Sequence, residues 1–188
     1  ATGVAGLSCA LTLPRDMRIL MLTKAAADES DSFLAQGGIC MLRGEEDFAG
    51  YFEDTMRAGH YENDEAAVRQ MIASSPAMIE ELVRCGVEFA RDGAGNFRFT
   101  REGGHSRPRI LFHDDITGRE ITSKLLGCVR GLPNVEIRER AELIDILECG
   151  GECCGGVVRG EKGELFAVYA DFALLATGGV GGLFEHST

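Results

Sequence analysis

The sequence has no tryptophan, only four prolines, and nineteen lysines and arginines against thirty aspartates and glutamates among its 188 residues. The resulting formal charge of −11 repels phosphate backbones and anionic membrane surfaces, which argues against a nucleic-acid partner. Long apolar runs are also missing: none approaches the roughly 20 residues of a membrane span, and no signal peptide opens the chain. We therefore expect a soluble, cytoplasmic protein with no membrane partner.

The seven cysteines lack the even count and spacing of a disulfide framework, so we expect reduced thiols. Cys149, Cys153 and Cys154 cluster and could ligate a metal, but no second cysteine or histidine pair stands at a matching spacing. The interpretation we favour is a hairpin or loop with incidental cysteines and no metal site.

The amino-terminal half predicts a helix that stops near Pro14, then a buried strand over residues 18–23, which is half of a βαβ unit without its first strand. Residues 24–38 read as a long loop. Two amphipathic helices are predicted over residues 47–58 and 64–85, the second broken near Pro76, and they would form a helical insertion at about residues 45–90 of a single domain spanning 1–188.

The carboxy-terminal half predicts a short strand at residues 97–99, a Thr-capped helix over 117–130 and a strand at 135–137. A β-meander then covers residues 143–147, 156–158 and 165–169, and an apolar strand over 171–176 ends at Thr177-Gly178-Gly179. These elements predict an α/β fold: a Rossmann-like, doubly wound parallel sheet with a small antiparallel meander, truncated at both ends.

Three segments could carry chemistry, and each also has a plainer explanation. Gly3 and Gly6 fit the last two glycines of a dinucleotide fingerprint, although Ala1 replaces the first, so a glycine-softened helix start is nearly as good an account. The loop at residues 30–38 offers hydroxyls, an amide and backbone N–H groups for phosphate or a ring edge, or it is simply a solvated loop.

The third segment, residues 100–109, holds one carboxylate, one imidazole and three guanidiniums. Arginine forks match carboxylates and a glutamate can hold an ammonium, so the segment could bind a dicarboxylate; a solvated basic turn is the alternative.

In their order and spacing, these segments resemble the L-aspartate oxidases, a branch of the succinate dehydrogenase and fumarate reductase flavoprotein family. The resemblance rests on residues 3–8, 22–24, 32–39, 53–55 with 58–59, 100–106, 109–111, 117–120 and 175–179. It implies that the chain is the amino-terminal, FAD-binding part of such an enzyme.

Carried over residue by residue, the resemblance implies two sets of FAD contacts. The nucleotide end would meet Thr2, Gly3, Val4, Ala5 and Lys24. The pyrophosphate and flavin would meet Asp31, Ser32, Phe33, Leu34, Ala35, Gln36, Gly37 and Gly38. Succinate dehydrogenases place the histidine that bonds covalently to FAD at position 31, so Asp31 implies a non-covalent flavin, and Glu102 resembles the family's substrate-orienting carboxylate.

The implied reaction is the FAD-dependent oxidation of L-aspartate to iminoaspartate, with oxygen or fumarate as acceptor, feeding quinolinate and NAD biosynthesis. The family's catalytic arginine and carboxylate-binding histidines belong to a capping domain and a carboxy-terminal region that this chain does not include, so we expect the chain to be inactive alone. The alternatives are a fumarate reductase or succinate dehydrogenase flavoprotein, or a degenerate, non-catalytic domain.

The missing first strand leads to a further expectation. Residues 20–23 and 174–177 would pair directly, recruit a strand from another copy, or leave exposed edges through which the chain could self-associate.

Overall fold

A computed structural model of the chain describes residues 2–179 and 181–186. Its α-helices are α1 (Val4–Thr12), α2 (Asp31–Leu34), α3 (Phe48–Ala58), α4 (Glu65–Arg84) and α5 (Thr117–Arg130). Its strands are β1 (Ile19–Leu22), β2 (Ile39–Cys40), β3 (Ile110–Leu111), β4 (Val135–Arg138), β5 (Glu142–Cys149), β6 (Glu152–Arg159) and β7 (Leu165–Tyr169). The predicted departure from the glycine fingerprint at Ala1 lies outside the described residues.

The strands form three small sheets. β1 and β4 are parallel, with Ile19 opposite Val135; β2 and β3 are antiparallel; and β5, β6 and β7 form an antiparallel meander in that order. The predicted α/β class, with a parallel pair and a meander, is confirmed.

The chain divides into two compact units. One comprises the described residues up to Phe33 and from Leu125 onward, and the other comprises Leu34–Lys124. The first contains the β1–β4 pair and the meander; the second contains α3, α4 and the β2–β3 pair. The predicted single domain with an insertion at about 45–90 stays a prediction.

In the second unit, α3 and α4 pack around a core of Tyr51, Met56, Val68 and Ile72. α4 begins where the Asp64 carboxylate accepts the Ala67 N–H at 2.8 Å, and its apolar residues recur at helical spacing on one face.

The predicted break of α4 at Pro76 is wrong, because the helix runs through it. Proline lacks the N–H that would bond to the carbonyl of Ile72 four residues earlier. The Ser75 hydroxyl donates to that carbonyl instead, at 2.7 Å, and also accepts the Leu42 N–H at 2.9 Å. A neighbouring side chain therefore satisfies the backbone group that Pro76 leaves open.

The predicted uninterrupted loop over residues 24–38 is also wrong, because it contains α2. The Phe33 N–H bonds to the carbonyl of Ser30 at 2.9 Å and to its hydroxyl at 3.3 Å, which supports this short turn of helix. The strand expected at residues 97–99 is reduced to an isolated bridge between Arg91 and Phe97.

The strand expected over residues 171–176 is not formed, since that segment has no strand partner within the described part of the chain. Its Phe172 side chain is 83% exposed, and Leu174 and Leu175 are exposed as well. Of the outcomes considered for residues 20–23 and 174–177, direct pairing is excluded in this structure. An apolar sequence forms a strand only where another strand accepts its hydrogen bonds.

The expectation of reduced thiols is wrong for two cysteines: Cys149 and Cys154 form a disulfide across the β5–β6 hairpin, while Cys153 is free and exposed. The hairpin itself is confirmed. Its register places Cys149 opposite Glu152, so the hairpin brings the chain near Cys149 and Cys154 together, with the two Cα atoms 5.9 Å apart.

Candidate functional site

The amino terminus of α1 has the features of an anion site. Its N-cap residue, Gly3, provides no side-chain cap, and the Val4 N–H donates to the Ser32 hydroxyl at 3.2 Å. A Cβ at Gly3 would lie 3.1 Å from that hydroxyl oxygen, so only glycine lets the two segments approach without displacing the serine. The helix dipole and free backbone N–H groups favour a phosphate at such a terminus.

Thr2 adds a donor at the same place. The residue is 2% exposed, and its hydroxyl oxygen is buried without a hydrogen-bond partner. Leaving a buried hydroxyl unpaired costs about 1–3 kcal/mol, which a ligand oxygen would recover. Thr2, Gly3 and Ser32 therefore fit the phosphate-binding end of a dinucleotide.

Lys24 follows β1 and lines a polar cavity of about 370 Å³. The backbone there is fixed by two bonds: the Ala141 N–H donates to the Thr23 carbonyl at 2.9 Å, and the Arg140 N–H donates to the Ala25 carbonyl at 3.3 Å. The remaining lining residues are Ala25, Ala26, Glu29, Arg140, Glu142, Arg159, Gly160 and Glu161. Such a polar recess suits the sugar or base of a nucleotide.

The predicted flavin-contacting segment is mostly open to solvent. Ser32 and Phe33 are half-buried, whereas the other residues of the segment are exposed: Asp31, Leu34, Ala35, Gln36, Gly37 and Gly38. In the set predicted for the nucleotide end, Thr2 is buried, Gly3 and Val4 are half-buried, and Ala5 and Lys24 are exposed. A Cβ at Gly178 would lie 3.7 Å from a carboxylate oxygen of Asp31, so these two residues are neighbours.

Gly38 must be glycine for steric reasons. A Cβ there would collide with the Ile110 side chain and the Leu111 carbonyl of β3. On the solvent side, this close packing leaves the backbone of Gly37 and Gly38 accessible to a ligand.

The structure places Glu102 beside this glycine pair. Its side chain is exposed, and a carboxylate oxygen lies 3.5 Å from the position of a Cβ at Gly37. The loop turns tightly after it, since the His105 N–H donates to the Glu102 carbonyl at 3.3 Å. The Glu102 carboxylate and the backbone of Gly37 and Gly38 are therefore exposed to solvent side by side.

Arg109 does not have the role that the residue pattern suggested. Its side chain is fully buried and pairs with Asp47 through two bonds of 2.8 and 2.9 Å and with Asp54 through one of 2.7 Å. Its guanidinium is therefore committed to internal partners and cannot grip a substrate carboxylate. Arg101 and Arg107 remain exposed.

Sequence reasoning missed Asp47 and Asp54, which are 3% exposed. Although burial alone would raise it, hydrogen bonds from Ser106 and Arg109 lower the pKa of Asp54 to about 2. The only available signal was an aspartate on the otherwise apolar face of α3, because charged residues are almost never buried without a partner.

A second cavity, of about 540 Å³, is lined by residues that include Gly38, Cys40, Tyr51, Gly104 and His105. A guanidinium can only donate, so Nδ1 of His105 accepts from Arg109 at 3.3 Å, and its Nε2–H then donates to the Cys40 sulfur at 3.4 Å. Burial raises the pKa of the Cys40 thiol.

No helix in the described part of the chain is long and apolar enough to cross a bilayer. Across residues 2–179 and 181–186, no group of three or more His, Cys, Asp or Glu side chains is arranged to hold a metal ion.

Comparison with known proteins agrees with this geometry. The family model described as the FAD binding domain matches residues 2–188. An L-aspartate oxidase of Clostridium perfringens is 42% identical over all of this chain and 42% of its own length, and one from Clostridium acetobutylicum is 37% identical over all of this chain and 43% of its own. The chain thus spans less than half the length of these relatives.

Among solved structures, an E. coli quinol fumarate reductase superposes with a TM-score of 0.92 at 24% identity, over 99% of this chain and 33% of that one. This likeness shows the fold. FAD is the cofactor that the matching family model and the residues at the α1 terminus indicate together. The chain belongs to the FAD binding domain family and has the fold of the fumarate reductase flavoproteins.

Proposed function

We propose that this chain is the FAD-binding portion of an L-aspartate oxidase, which oxidises L-aspartate to iminoaspartate with oxygen or fumarate as acceptor and supplies NAD biosynthesis. The observation that carries the proposal is the position of Glu102 beside Gly37, within a chain 42% identical to an L-aspartate oxidase. Because it spans less than half of such an enzyme, we expect it to be inactive alone.

The residues that would hold FAD fall into the two sets already described. Thr2, Gly3, Val4 and Ala5 at the α1 terminus would hold phosphate, Lys24 would meet the nucleotide end, and residues 31–38 would contact pyrophosphate and flavin. Asp31 offers a carboxylate, so the flavin would be held non-covalently. Bound FAD would supply the redox chemistry by accepting two electrons from the substrate in the form of one hydride, and the accompanying proton would leave separately.

Glu102 would hold and orient the substrate ammonium. A carboxylate near an ammonium gives a charge-assisted bond, and a dicarboxylate without an amine cannot form it. The exposed backbone of Gly37 and Gly38 would let the substrate carbon approach closely, since Gly37 places no Cβ beside the Glu102 carboxylate. Arg109 would not bind substrate, because its donors serve Asp47 and Asp54.

A substitution that removes the Thr2 hydroxyl tests whether this residue binds the cofactor. Replacing Thr2 by valine keeps the shape and removes the donor, so we expect FAD to bind about tenfold more weakly in a titration of the purified chain. Thr2→Ser should bind as the wild type does. Equal FAD affinity for Thr2→Val and wild type would remove Thr2 from the site, and a colourless wild-type chain after desalting with FAD would contradict cofactor binding by this portion.

Two alternatives remain: the chain could belong to a fumarate reductase or succinate dehydrogenase flavoprotein, or it could be a non-catalytic domain. Turnover of L-aspartate rather than succinate or fumarate by the full-length enzyme separates the first from the proposal, and retained flavin excludes the second. A cytoplasmic location and self-association through strand edges stay predictions.

A further inference from the structure

Within helix α3, the carboxylate of Asp54 bonds to the 100–109 loop that carries Glu102. One oxygen of Asp54 accepts the Ser106 N–H at 2.7 Å, the Ser106 hydroxyl at 2.6 Å and the Arg109 guanidinium at 2.7 Å. The other oxygen accepts from Arg57 at 2.8 Å. The Asp54 carboxylate therefore accepts hydrogen bonds from two residues of the loop and from Arg57 of α3 itself.

The ends of the loop are held separately. Thr100 and Ile110 exchange backbone hydrogen bonds of 2.9 and 3.1 Å, which closes the loop at its base. Arg109, next to this base, is clamped by Asp47, and its carbonyl accepts the Met41 N–H at 2.9 Å. Between the base and the exposed tip, Ser106 is hydrogen-bonded to α3, and the preceding His105 bonds to Cys40 and packs edge-on against Tyr51 of α3.

The tip has little rigidity of its own. Gly103 and Gly104 follow Glu102, and Gly104 has a φ of 84°, a conformation that other residues rarely adopt. A Cβ at either glycine would meet nothing within 4 Å, so packing does not fix the tip. The position of Glu102 therefore depends on the turn that leads back to Ser106.

Stability alone is a poor explanation for burying this cluster. Taking charges out of water is costly, and well-packed apolar replacements of buried ion pairs are often neutral or stabilising. What a hydrogen-bonded charge cluster supplies is one defined geometry. Here the geometry it defines is that of the loop bearing the proposed ammonium-binding carboxylate.

We propose that Asp54 and Ser106 are positioning residues that set where Glu102 stands and thereby let the enzyme select an amino dicarboxylate over one without an amine. The inference rests on the proposed function, because it assigns the selectivity of that same site to residues outside it. Neither residue needs to touch the substrate.

The test compares ligands that differ by the amine. In the full-length enzyme loaded with FAD and kept free of oxygen, the dissociation constant for L-aspartate is taken from the concentration dependence of the rate of flavin bleaching after rapid mixing. The dissociation constant for succinate is taken from the change in the spectrum of the oxidised flavin. For Ser106→Ala we expect L-aspartate to bind about tenfold more weakly and succinate to stay within about twofold, since only the ammonium contact is misplaced. Ser106→Thr, which retains the hydroxyl, should restore the ratio, and exposed Ser123→Ala serves as the matched control.

Two further variants keep the outcomes distinct. Asp54→Asn should change the ratio in the same direction as Ser106→Ala, and Glu102→Gln should change it at least as much. A normal aspartate-to-succinate ratio in Ser106→Ala and Asp54→Asn, with an altered ratio in Glu102→Gln, would overturn the positioning role and leave the proposed function intact. A wild-type enzyme that fails to bind and oxidise L-aspartate would instead overturn the proposed function.

Discussion

The contribution of the buried cluster of Asp47, Asp54 and Arg109 to stability can be estimated from the pKa of Asp54. Its pKa is lowered from 3.8 to about 2, despite burial, by hydrogen bonds from Ser106 and Arg109. Each pKa unit corresponds to roughly 1.4 kcal/mol, so ionised Asp54 contributes about 2 kcal/mol to the free energy of unfolding. Because the pKa is lower in the folded state, this contribution is present above about pH 4 and is lost as the pH falls toward 2, with roughly half remaining near pH 3.

Replacing Asp54 by asparagine removes the charge and keeps the shape. An amide oxygen accepts more weakly than a carboxylate from Ser106, and although Arg109 keeps Asp47, its charge-assisted bond to position 54 is lost. We expect the variant to be about 3 kcal/mol less stable at pH 7, a value toward the lower end for removing one partner of a buried ion pair.

Urea unfolding of the purified chain, followed by circular dichroism between pH 7 and about pH 3, measures this difference. The difference in the free energy of unfolding between the wild type and Asp54→Asn should become smaller as the pH falls. Glu80→Gln, which removes an exposed carboxylate of α4 instead, should unfold as the wild type does. A variant within about 0.5 kcal/mol of wild type at pH 7, or a gap that does not narrow in acid, would refute the reasoning.

Two more predictions concern the proline in α4 and the cysteines of the meander. Ser75→Ala should lower the free energy of unfolding by about 1–3 kcal/mol, because the Ile72 carbonyl, four residues before Pro76, and the Leu42 N–H both lose a hydrogen-bond partner. Ser74→Ala should change the free energy of unfolding by less than about 0.5 kcal/mol, and equal effects of the two substitutions in urea unfolding would contradict the prediction. Titration with a thiol reagent under denaturing, non-reducing conditions should find five reactive thiols, because the β5–β6 hairpin holds two of the seven cysteines in a disulfide, and a count of seven would contradict that bond.

Elements with a complete local pattern were predictable from the sequence. α5 runs over residues 117–130 as expected, because Ile121, Leu125 and Val129 recur at helical spacing and are buried together. β1 and β4 were predicted from short apolar runs, and the meander from alternation separated by glycine turns. In these cases the local sequence and the tertiary environment favour the same structure.

The errors arose where a specific contact, which local propensity does not include, decides the structure. The segment 171–176 has the composition of a buried strand but no strand to pair with among the described residues. α4 continues through Pro76 because a serine hydroxyl replaces the missing donor, a substitution that helix propensity does not include. Spacing rules also gave no reason to pair Cys149 with Cys154 rather than with Cys153.

The candidate site shows the same division. The glycines and the Glu102 loop carry recognisable residue types, so the sequence alone is enough to single them out. The role of Arg109 is not readable in that way, since an arginine that binds a substrate and one that anchors a loop look identical in sequence. Only the positions of Asp47 and Asp54, more than fifty residues away along the chain, distinguish the two.

Oxidation of L-aspartate can be observed by mixing the full-length, FAD-loaded enzyme with L-aspartate in the absence of oxygen and recording the visible flavin spectrum. We expect L-aspartate to bleach the flavin, succinate to leave it unchanged, and Glu102→Gln to slow the bleaching. Flavin that stays oxidised with L-aspartate, or that is bleached by succinate instead, would contradict the proposal that this chain belongs to an aspartate-oxidising enzyme.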